Sequence, residues 1–284
     1  MMSGVVLGGG GIAGVAWEAG ILIGLRRAGA DLSSADLIVG TSAGSIVGSH
    51  LAFAADLEAL AAAPPARPGP GPAAGTVDLD SVLTALAPVF DPTLDPAEAR
   101  RRVGAAARLA AVGGEEAHIA RIAALLPTGE GWPPRRFLVT AVDTESGELT
   151  VWHGGCGVPL DRAVASSCAV PGAYPPVTIG GRRYMDGGVR SVTNADLAAG
   201  ASAVIVLDAV GHLTPRQPLQ AELATLGTAS TLVITPDEAA AAQMGTNVLD
   251  PASWPAALEA GLAQAISCAE AARAIWPGSP PPRS

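Results

Sequence analysis

The chain has 284 residues, 49% of them hydrophobic and 15% charged, which suits one large domain or two small ones with a sizeable buried core. The formal net charge is −9, and this acidic balance argues against nucleic acid as a partner, because phosphate binding needs clustered positive charge. Three scattered cysteines without C-x-x-C spacing indicate neither a disulfide framework nor a zinc site, and they fit a reducing compartment. No stretch offers the roughly 20 uninterrupted apolar residues that a spanning helix needs, so we expect a cytoplasmic protein.

Strand and helix patterns alternate from the start of the chain. The first half is predicted to contain a strand at 5–7, a glycine loop at 8–11, a helix at 12–27, a strand at 36–39 and a buried helix at 43–55. A Pro/Gly-rich stretch at 64–75 predicts a flexible surface loop. Helical spacing returns over 81–126 and predicts a helical insertion that covers one side of the sheet.

The second half continues the alternation. It is predicted to contain strands at 136–143 and 148–153 joined by a hairpin turn, a helix at 160–167, a second hairpin around Gly180 and Gly181, strands at 203–207 and 230–234, and a closing helix at 254–275. Asn194 is interpreted as the N-cap of a short helix at 195–199. We therefore expect a single domain over residues 1–276, a three-layer α/β/α arrangement with a mostly parallel sheet, and a disordered tail at 277–284.

Residues 40–44 read GTSAG and match G-x-S-x-G, a sharp strand-to-helix bend that exposes a serine oxygen. Gly40 and Gly44 fit such a bend because backbone and neighbouring side chains come too close there for a Cβ. A strand pattern precedes the pentapeptide and a helix pattern follows it, as the motif requires. Ser42 is therefore either a nucleophile after the second strand or a small residue in an ordinary tight turn.

A second glycine motif, GGGGIAG at 8–14, lies between the first strand and the first helix. Such a loop leaves backbone N–H groups unpaired at a helix N-terminus, where they favour negative charge. Gly9, Gly11 and Gly14 also fit the dinucleotide pattern G-x-G-x-x-G. The acidic residue of that pattern would have to be Asp31, which precedes the second strand instead of ending it. The other interpretation is an oxyanion hole for acyl transfer beside the serine bend, and the two loops support each other.

A serine nucleophile needs a base to accept its proton. Of the four histidines, His212 is the one considered for a Ser-His-Asp triad, although α/β-hydrolases place more strands before their bend than this chain does. Asp186, in YMDGG, is the other candidate, because the two glycines after it open the backbone around its carboxylate. Asp-Gly is also a very common turn pair, so an Asx-turn explains the same residues.

The motifs at 8–14, 40–44 and 186–188 occur in the order and context of the patatin-like phospholipase family, which the chain resembles from about residue 4 to 208. The segment 163–176 (AVASSCAVPGAYPP) is also similar to the family's segment before its D-G-G/A motif. The resemblance implies a patatin-like α/β fold and a Ser–Asp dyad without histidine. It also implies an enzyme that hydrolyses carboxylic esters of phospholipids or related acyl lipids.

Carried onto this chain, the family's roles fall on Ser42 as the nucleophile and Asp186 as the base, with the N–H groups of Gly9, Gly10 and Gly11 as the oxyanion donors. The resemblance implies no metal and no organic cofactor. The implied partner is an acyl lipid or ester substrate, with transient contact at a membrane surface.

One departure from the family concerns Ala13, where members commonly carry Arg or Lys. Arg182, Arg183 and Arg190, close to Asp186 in sequence, are the cations available to compensate. Three alternatives stay open at this point: an α/β-hydrolase-like esterase that uses His212, a patatin-like protein that binds acyl lipids without turnover, and a dinucleotide-binding domain.

Overall fold

The computed structural model describes residues 2–64, 77–127, 131–214 and 217–276. The predicted tail at 277–284, and all but the first residue of the predicted loop at 64–75, lie outside the described residues. The strands of the described part are β1 Ser3–Leu7, β2 Leu37–Gly40, β3 Arg136–Asp143, β4 Leu149–Trp152, β5 Val177–Ile179, β6 Arg182–Asp186, β7 Ala203–Leu207 and β8 Ser230–Ile234. Its α-helices are α1 Gly11–Arg27, α2 Ala43–Ala52, α3 Leu57–Ala62, α4 Leu79–Leu86, α5 Pro96–Leu109, α6 Glu115–Ala123, α7 Leu160–Ser167, α8 Gln217–Ala224, α9 Glu238–Met244 and α10 Trp254–Ile275.

All of these strands form one mixed sheet with the order β5-β6-β3-β2-β1-β7-β8, and β4 pairs with β3 beside this path. The central pairs β3-β2, β2-β1, β1-β7 and β7-β8 are parallel. The two predicted hairpins are the antiparallel pairs β3-β4 and β5-β6. The mostly parallel α/β sheet that the sequence predicts is confirmed.

Alternate residues of the central strands face two different cores. In β1, Val5 and Leu7 pack in the larger core with α1, α2 and α10, whereas Val6 packs in a second core on the other face. That second core includes the short 3-10 helix Ala195–Ala198 and residues of α8. Because side chains alternate along a strand, each buried strand needs a covering layer on both faces, which gives the predicted three layers in a single domain.

The position of β6 follows from the pairing along β3. Ala141 pairs with both β4 and β6, so these two strands lie on opposite edges of β3. Val139 pairs with both β2 and β4, so β2 also lies on the edge of β3 opposite β4. Strands β2 and β6 therefore lie along the same edge of β3, with β2 beside its first half and β6 beside its second half. Gly40 lies opposite Val139 and Asp186 lies opposite Ala141, two residues further along, or about 7 Å. The end of β6 is thereby placed just beyond the end of β2.

The predicted helical region at 81–126 contains α4, α5 and α6. Helix α4 begins after Asp78, whose carboxylate accepts the Asp80 N–H, and α5 begins after Asp95, which accepts the Ala97 N–H. These are N-cap bonds that the sequence itself encodes. Helix α2 is shorter than predicted and ends at Ala52, because the chain turns through a positive φ of 53° at Ala54.

Candidate active site

The GTSAG segment forms a strained bend between β2 and α2. Ser42 has φ 51° and ψ −118°, a conformation that costs a residue with a Cβ about 1–3 kcal/mol, and only 6% of it is exposed. A methyl group on Gly40 would lie 2.6 Å from the Cα of Ser45, and one on Gly44 would overlap the backbone carbonyl of Leu7. Both glycines are therefore required for the bend that the motif predicts.

The backbone of Ser42 is held by two neighbouring segments. Its N–H donates to Ser167 Oγ at 2.8 Å, and its carbonyl accepts from Ser45 Oγ at 2.6 Å and from Cys168 Sγ at 3.3 Å. Burial raises the pKa of Cys168, so the sulfur stays protonated and can donate. The end of α7, which belongs to the 163–176 segment, thus fixes the strained serine.

Asp186 lies at the end of β6, beside the serine bend. It is 5% exposed, and its Oδ1 accepts the Gly188 N–H at 2.7 Å. Its Oδ2 accepts no hydrogen bond from the described residues. Burial raises the pKa of Asp186 to about 6, while the neighbouring Ser42 hydroxyl and the Gly188 N–H oppose the rise. A buried carboxyl group with an elevated pKa is a suitable proton acceptor near neutral pH.

One of the three predicted oxyanion donors in the glycine loop is not available in the structure. The Gly9 N–H donates to the Val192 carbonyl at 2.8 Å, so it is already used within the protein. Within the described part of the chain, no acceptor is found for the N–H groups of Gly10 and Gly11 at the start of α1, or of Ala43 at the start of α2. A Cβ on Gly9 would lie 3.5 Å from Ser42 Cβ, so the loop passes directly beside the serine.

Asn194 joins the serine bend to the Asp186 loop, a role the sequence did not predict. It occupies the N-cap position of the 3-10 helix with φ 51°, but its side chain makes no capping bond there. Its Nδ2 donates instead to Thr41 Oγ1 at 3.0 Å and to the Ser191 carbonyl at 2.7 Å. The Gly187 carbonyl lies 3.5 Å from the same nitrogen. This amide therefore contacts the neighbours of both Ser42 and Asp186.

The cations near Asp186 do not replace the family's basic residue. Arg190 pairs with Asp196 at 2.8 Å, and Arg182 pairs with Asp143 at 2.5 Å. Arg183 is an exposed residue of β6. Ala13 is fully buried and donates its N–H to the Val248 carbonyl, so its position has no room for a long side chain.

The residues required by the alternative interpretations are not arranged for those roles. Neither ring nitrogen of His212 has a hydrogen-bond partner among the described residues, so this histidine forms no hydrogen-bonded triad with Ser42 there. Asp31 caps the 3-10 helix Leu32–Ser34 by accepting the Ser33 N–H, and it lies in an exposed position before β2. A ribose-binding acid would instead follow that strand.

The described part of the chain contains no group of three or more His, Cys, Asp or Glu side chains that could hold a metal ion. None of its helices combines the length and the apolar character required to cross a membrane.

A parallel α/β sheet that carries a strained serine, unpaired loop amides and a buried carboxyl group has the parts needed for acyl transfer. Residues 75–199 match the family model described as Patatin-like phospholipase, which confirms the resemblance drawn from the motifs. The match covers 125 of the 284 residues, so over this part the chain is similar to patatin-like phospholipases. The matched region includes Asp186, whereas Ser42 and the glycine loop precede it.

Among solved structures, the chain is similar to VipD from Legionella pneumophila, with 14% identity and a TM-score of 0.49 over 95% of this chain and 67% of that one. It is also similar to the type III effector protein ExoU, with 16% identity and a TM-score of 0.41 over 95% of this chain and 53% of that one. A search of curated proteins finds no sequence that matches.

Proposed function

We propose that the protein hydrolyses carboxylic esters of phospholipids or related acyl lipids with Ser42 as the nucleophile and Asp186 as the base. The observation that carries this proposal is the placement of a strained serine and a buried carboxyl group at adjacent strand ends. A structural serine would not need a conformation that costs free energy, and a structural carboxylate would normally be fully hydrogen-bonded.

In the first half of the reaction, Ser42 Oγ attacks the ester carbonyl and its proton passes to Asp186. The tetrahedral intermediate collapses, Asp186 returns the proton to the departing alcohol, and an acyl-serine remains. In the second half, water attacks the acyl-serine while Asp186 accepts a proton from it. Collapse releases the fatty acid, and Ser42 regains its proton from Asp186.

The negative oxygen of each intermediate would be stabilised by the amides of Gly10 and Gly11, with that of Ala43 as a further donor. Fixed donors of this kind are typically worth about 3–4 kcal/mol each in transition-state stabilisation. The amides lie at the N-termini of α1 and α2, whose dipoles favour negative charge there.

Contact with a lipid surface would be made by the helical region around α4 and α5. Of the large apolar side chains exposed in the described residues, Leu83, Phe90 and Leu109 lie in this region. Helix α4 also packs against the loop after α7, since a Cβ on Gly172 would lie 2.6 Å from the Ser81 carbonyl. Helix α4, which carries Leu83, therefore packs against the 163–176 segment, whose Ser167 and Cys168 contact the backbone of Ser42.

The test is to compare Ser42→Ala and Asp186→Asn with the wild type on p-nitrophenyl butyrate and on phosphatidylglycerol micelles. Both variants should lose at least about 10³-fold in kcat on both substrates while keeping the wild-type circular dichroism. Ser230→Ala, at the exposed start of β8, is the matched control and should stay fully active. Near-normal turnover by either site variant would refute the proposed roles.

Two further measurements separate the alternatives. A fluorophosphonate probe should label the wild type but not Ser42→Ala, whereas a protein that only binds acyl lipids would show no labelling. His212→Ala should keep its activity, and its inactivation would favour the Ser-His-Asp triad instead.

A further inference from the structure

Helix α6 and the loop after α7 build a cationic group that the proposed reaction does not use. The guanidinium carbon of Arg121 lies 4.2 Å from the ring centroid of Tyr174. The ring of His118 stacks on the same tyrosine, with centroids 5.1 Å apart and planes 17° apart. Arg121 also donates to His118 Nδ1 at 2.5 Å. Two contacts therefore hold the guanidinium in place, although the residue is exposed.

No carboxylate neutralises Arg121 in the described part of the chain. The acidic side chains of its own helix, Glu115 and Glu116, are directed to Arg162 instead. His118 cannot share the charge, because burial lowers its pKa to about 4 and it is neutral at pH 7. The guanidinium of Arg121 is therefore held by two aromatic rings and keeps its full charge available to an anion.

The anchoring contacts of Arg121 lead directly to the serine bend. His118 Nε2 donates to the Ala165 carbonyl at 2.9 Å, and two residues later Ser167 Oγ accepts the Ser42 N–H. The segment that carries Tyr174 also includes Ala169, whose carbonyl accepts the Asp186 N–H at 3.1 Å. Cys168, which follows Ser167 in the same segment, donates to the Ser42 carbonyl at 3.3 Å.

We propose that Arg121, held against Tyr174 and His118, binds the phosphate group of the lipid whose ester is cleaved at Ser42. A guanidinium presents a planar set of N–H donors that matches phosphate oxygens, and its bonds to phosphate are charge-assisted. A net charge of −9 disfavours the approach of an anionic lipid, and a local cation at the binding site would oppose this repulsion. This assignment rests on the proposed function and narrows its substrates to acyl lipids that carry a phosphate.

The experiment compares two substrates that differ only in the phosphate-linked headgroup: phosphatidylglycerol and diacylglycerol with the same acyl chains, in identical neutral detergent micelles. Arg121→Gln should lower kcat/KM on phosphatidylglycerol about tenfold, mainly through KM, and change the value for diacylglycerol less than about twofold. Arg121→Lys should recover part of the loss, because it restores the charge but not the planar donor geometry.

Arg136→Gln is the matched control, since Arg136 is exposed at the amino end of β3, whereas the serine bend lies at the carboxyl ends of the strands. It removes the same charge and should leave both substrates unaffected. An equal loss on both substrates with Arg121→Gln, or the same selective loss with Arg136→Gln, would overturn the assignment. Inorganic phosphate should inhibit the wild type more than Arg121→Gln if the site recognises phosphate itself, and equal inhibition would count against it.

A binding measurement keeps this assignment separate from the proposed chemistry. Calorimetric titration of Ser42→Ala with short-chain phosphatidylglycerol below its micelle concentration should give at least about tenfold weaker binding when Arg121→Gln is added. If the Ser42 and Asp186 variants stayed active while binding of phosphatidylglycerol still depended on Arg121, the Ser–Asp dyad would be refuted and the role of Arg121 would stand. Equal affinity in the two titrations would refute the role of Arg121, whatever the catalytic tests give.

Discussion

The carboxyl edge of the sheet around Ser42 and the helical region of α4 to α6 are built in different ways. At the sheet edge the polypeptide bends through strained conformations, and glycines lie where any Cβ would collide with backbone. In the helical region, capped helices present large apolar side chains to solvent, with Leu109 exposed by 85% and Phe90 by 60%.

The two regions therefore tolerate substitutions differently. At the sheet edge, steric contacts restrict the residue type, whereas in the helical region the exposed side chains are free to change. Around Ser42 a change of one methyl group alters backbone that other segments depend on. Along α4 and α5 a polar side chain can replace an exposed apolar one without touching the core. The two regions meet where Gly172, with φ 82°, packs against Ser81 at the start of α4.

The largest effect should come from closing the space that the bend requires. Gly44→Ala places a methyl group on the backbone carbonyl of Leu7 in β1, so α2 must move and Ser42 with it. Since a displacement of about 1 Å can cost about 10²-fold, we expect activity on p-nitrophenyl butyrate to fall at least 10²-fold. The free energy of unfolding, measured in urea, should fall as well.

Gly113→Ala is the matched control, because its added methyl group meets no atom within 4 Å. It lies between α5 and α6 and should change neither activity nor stability. Comparable losses in the two variants would mean that the sheet edge is no more constrained than the helical region.

The bends and loops at the sheet edge can be predicted from the sequence because each one is determined by a few consecutive residues. The bend at Ser42, the loop at Gly8 and the Asp186 turn are each encoded within a few residues whose spacing has steric meaning. Strand limits such as 203–207 and 230–234 follow from short apolar runs and agree with the structure.

What the sequence does not predict depends on contacts between distant segments. The engagement of the Gly9 N–H by Val192 joins residues 183 positions apart. Asn194 is an N-cap by local pattern, yet with φ 51° its side chain makes no capping bond and its amide donates to Thr41 instead. The contact of Arg121 with Tyr174 likewise has no signature in either segment alone.

Short helices were also missed for a physical reason. Helices α3, α8 and α9 contain six to eight residues, too few for a 3.6-residue period to repeat convincingly. Their starts are marked by caps where the side chain is described, as with Asp56 before α3 and Asp237 before α9. A cap without a following apolar period is a weak signal, because Asp occurs equally in turns.

The next effect in size concerns pH at the sheet edge. A base must be deprotonated to accept the proton of Ser42, and the pKa of Asp186 is raised by burial to about 6. We expect kcat/KM on p-nitrophenyl butyrate to be level above pH 7 and to fall about tenfold per unit well below pH 6. The rate should be followed at the isosbestic wavelength of nitrophenol, so that its own titration does not distort the profile.

The same shift has a defined sign in stability. Because the pKa of Asp186 is higher in the folded protein than in the unfolded chain, its contribution to the free energy of unfolding is lost as pH rises from about 4 to about 6. Asp186→Asn should therefore be more stable than the wild type above pH 6 and lack this decline.

His212→Gln is the control for the pH dependence of kcat/KM. A shift of the inflexion near pH 6 in that variant would assign it to the histidine instead of Asp186.

The smallest effect should come from the helical region, and it should depend on the physical state of the substrate. The double variant Leu83→Ser with Phe90→Ser removes two exposed apolar side chains, each worth about 0.5 kcal/mol if partly inserted into lipid. Turnover of phosphatidylglycerol vesicles should fall about fivefold, because fewer molecules are bound to the surface, while turnover of soluble p-nitrophenyl butyrate stays the same. Ile266→Ser, on α10 and 76% exposed, removes a similar side chain elsewhere and should leave both rates unchanged. If turnover of the vesicles and of the soluble ester fell equally, the substitutions on the helical region would be changing the geometry of the serine site through the contact with Gly172. A loss confined to vesicles would make the helical region an interfacial surface that delivers lipid to a rigid site.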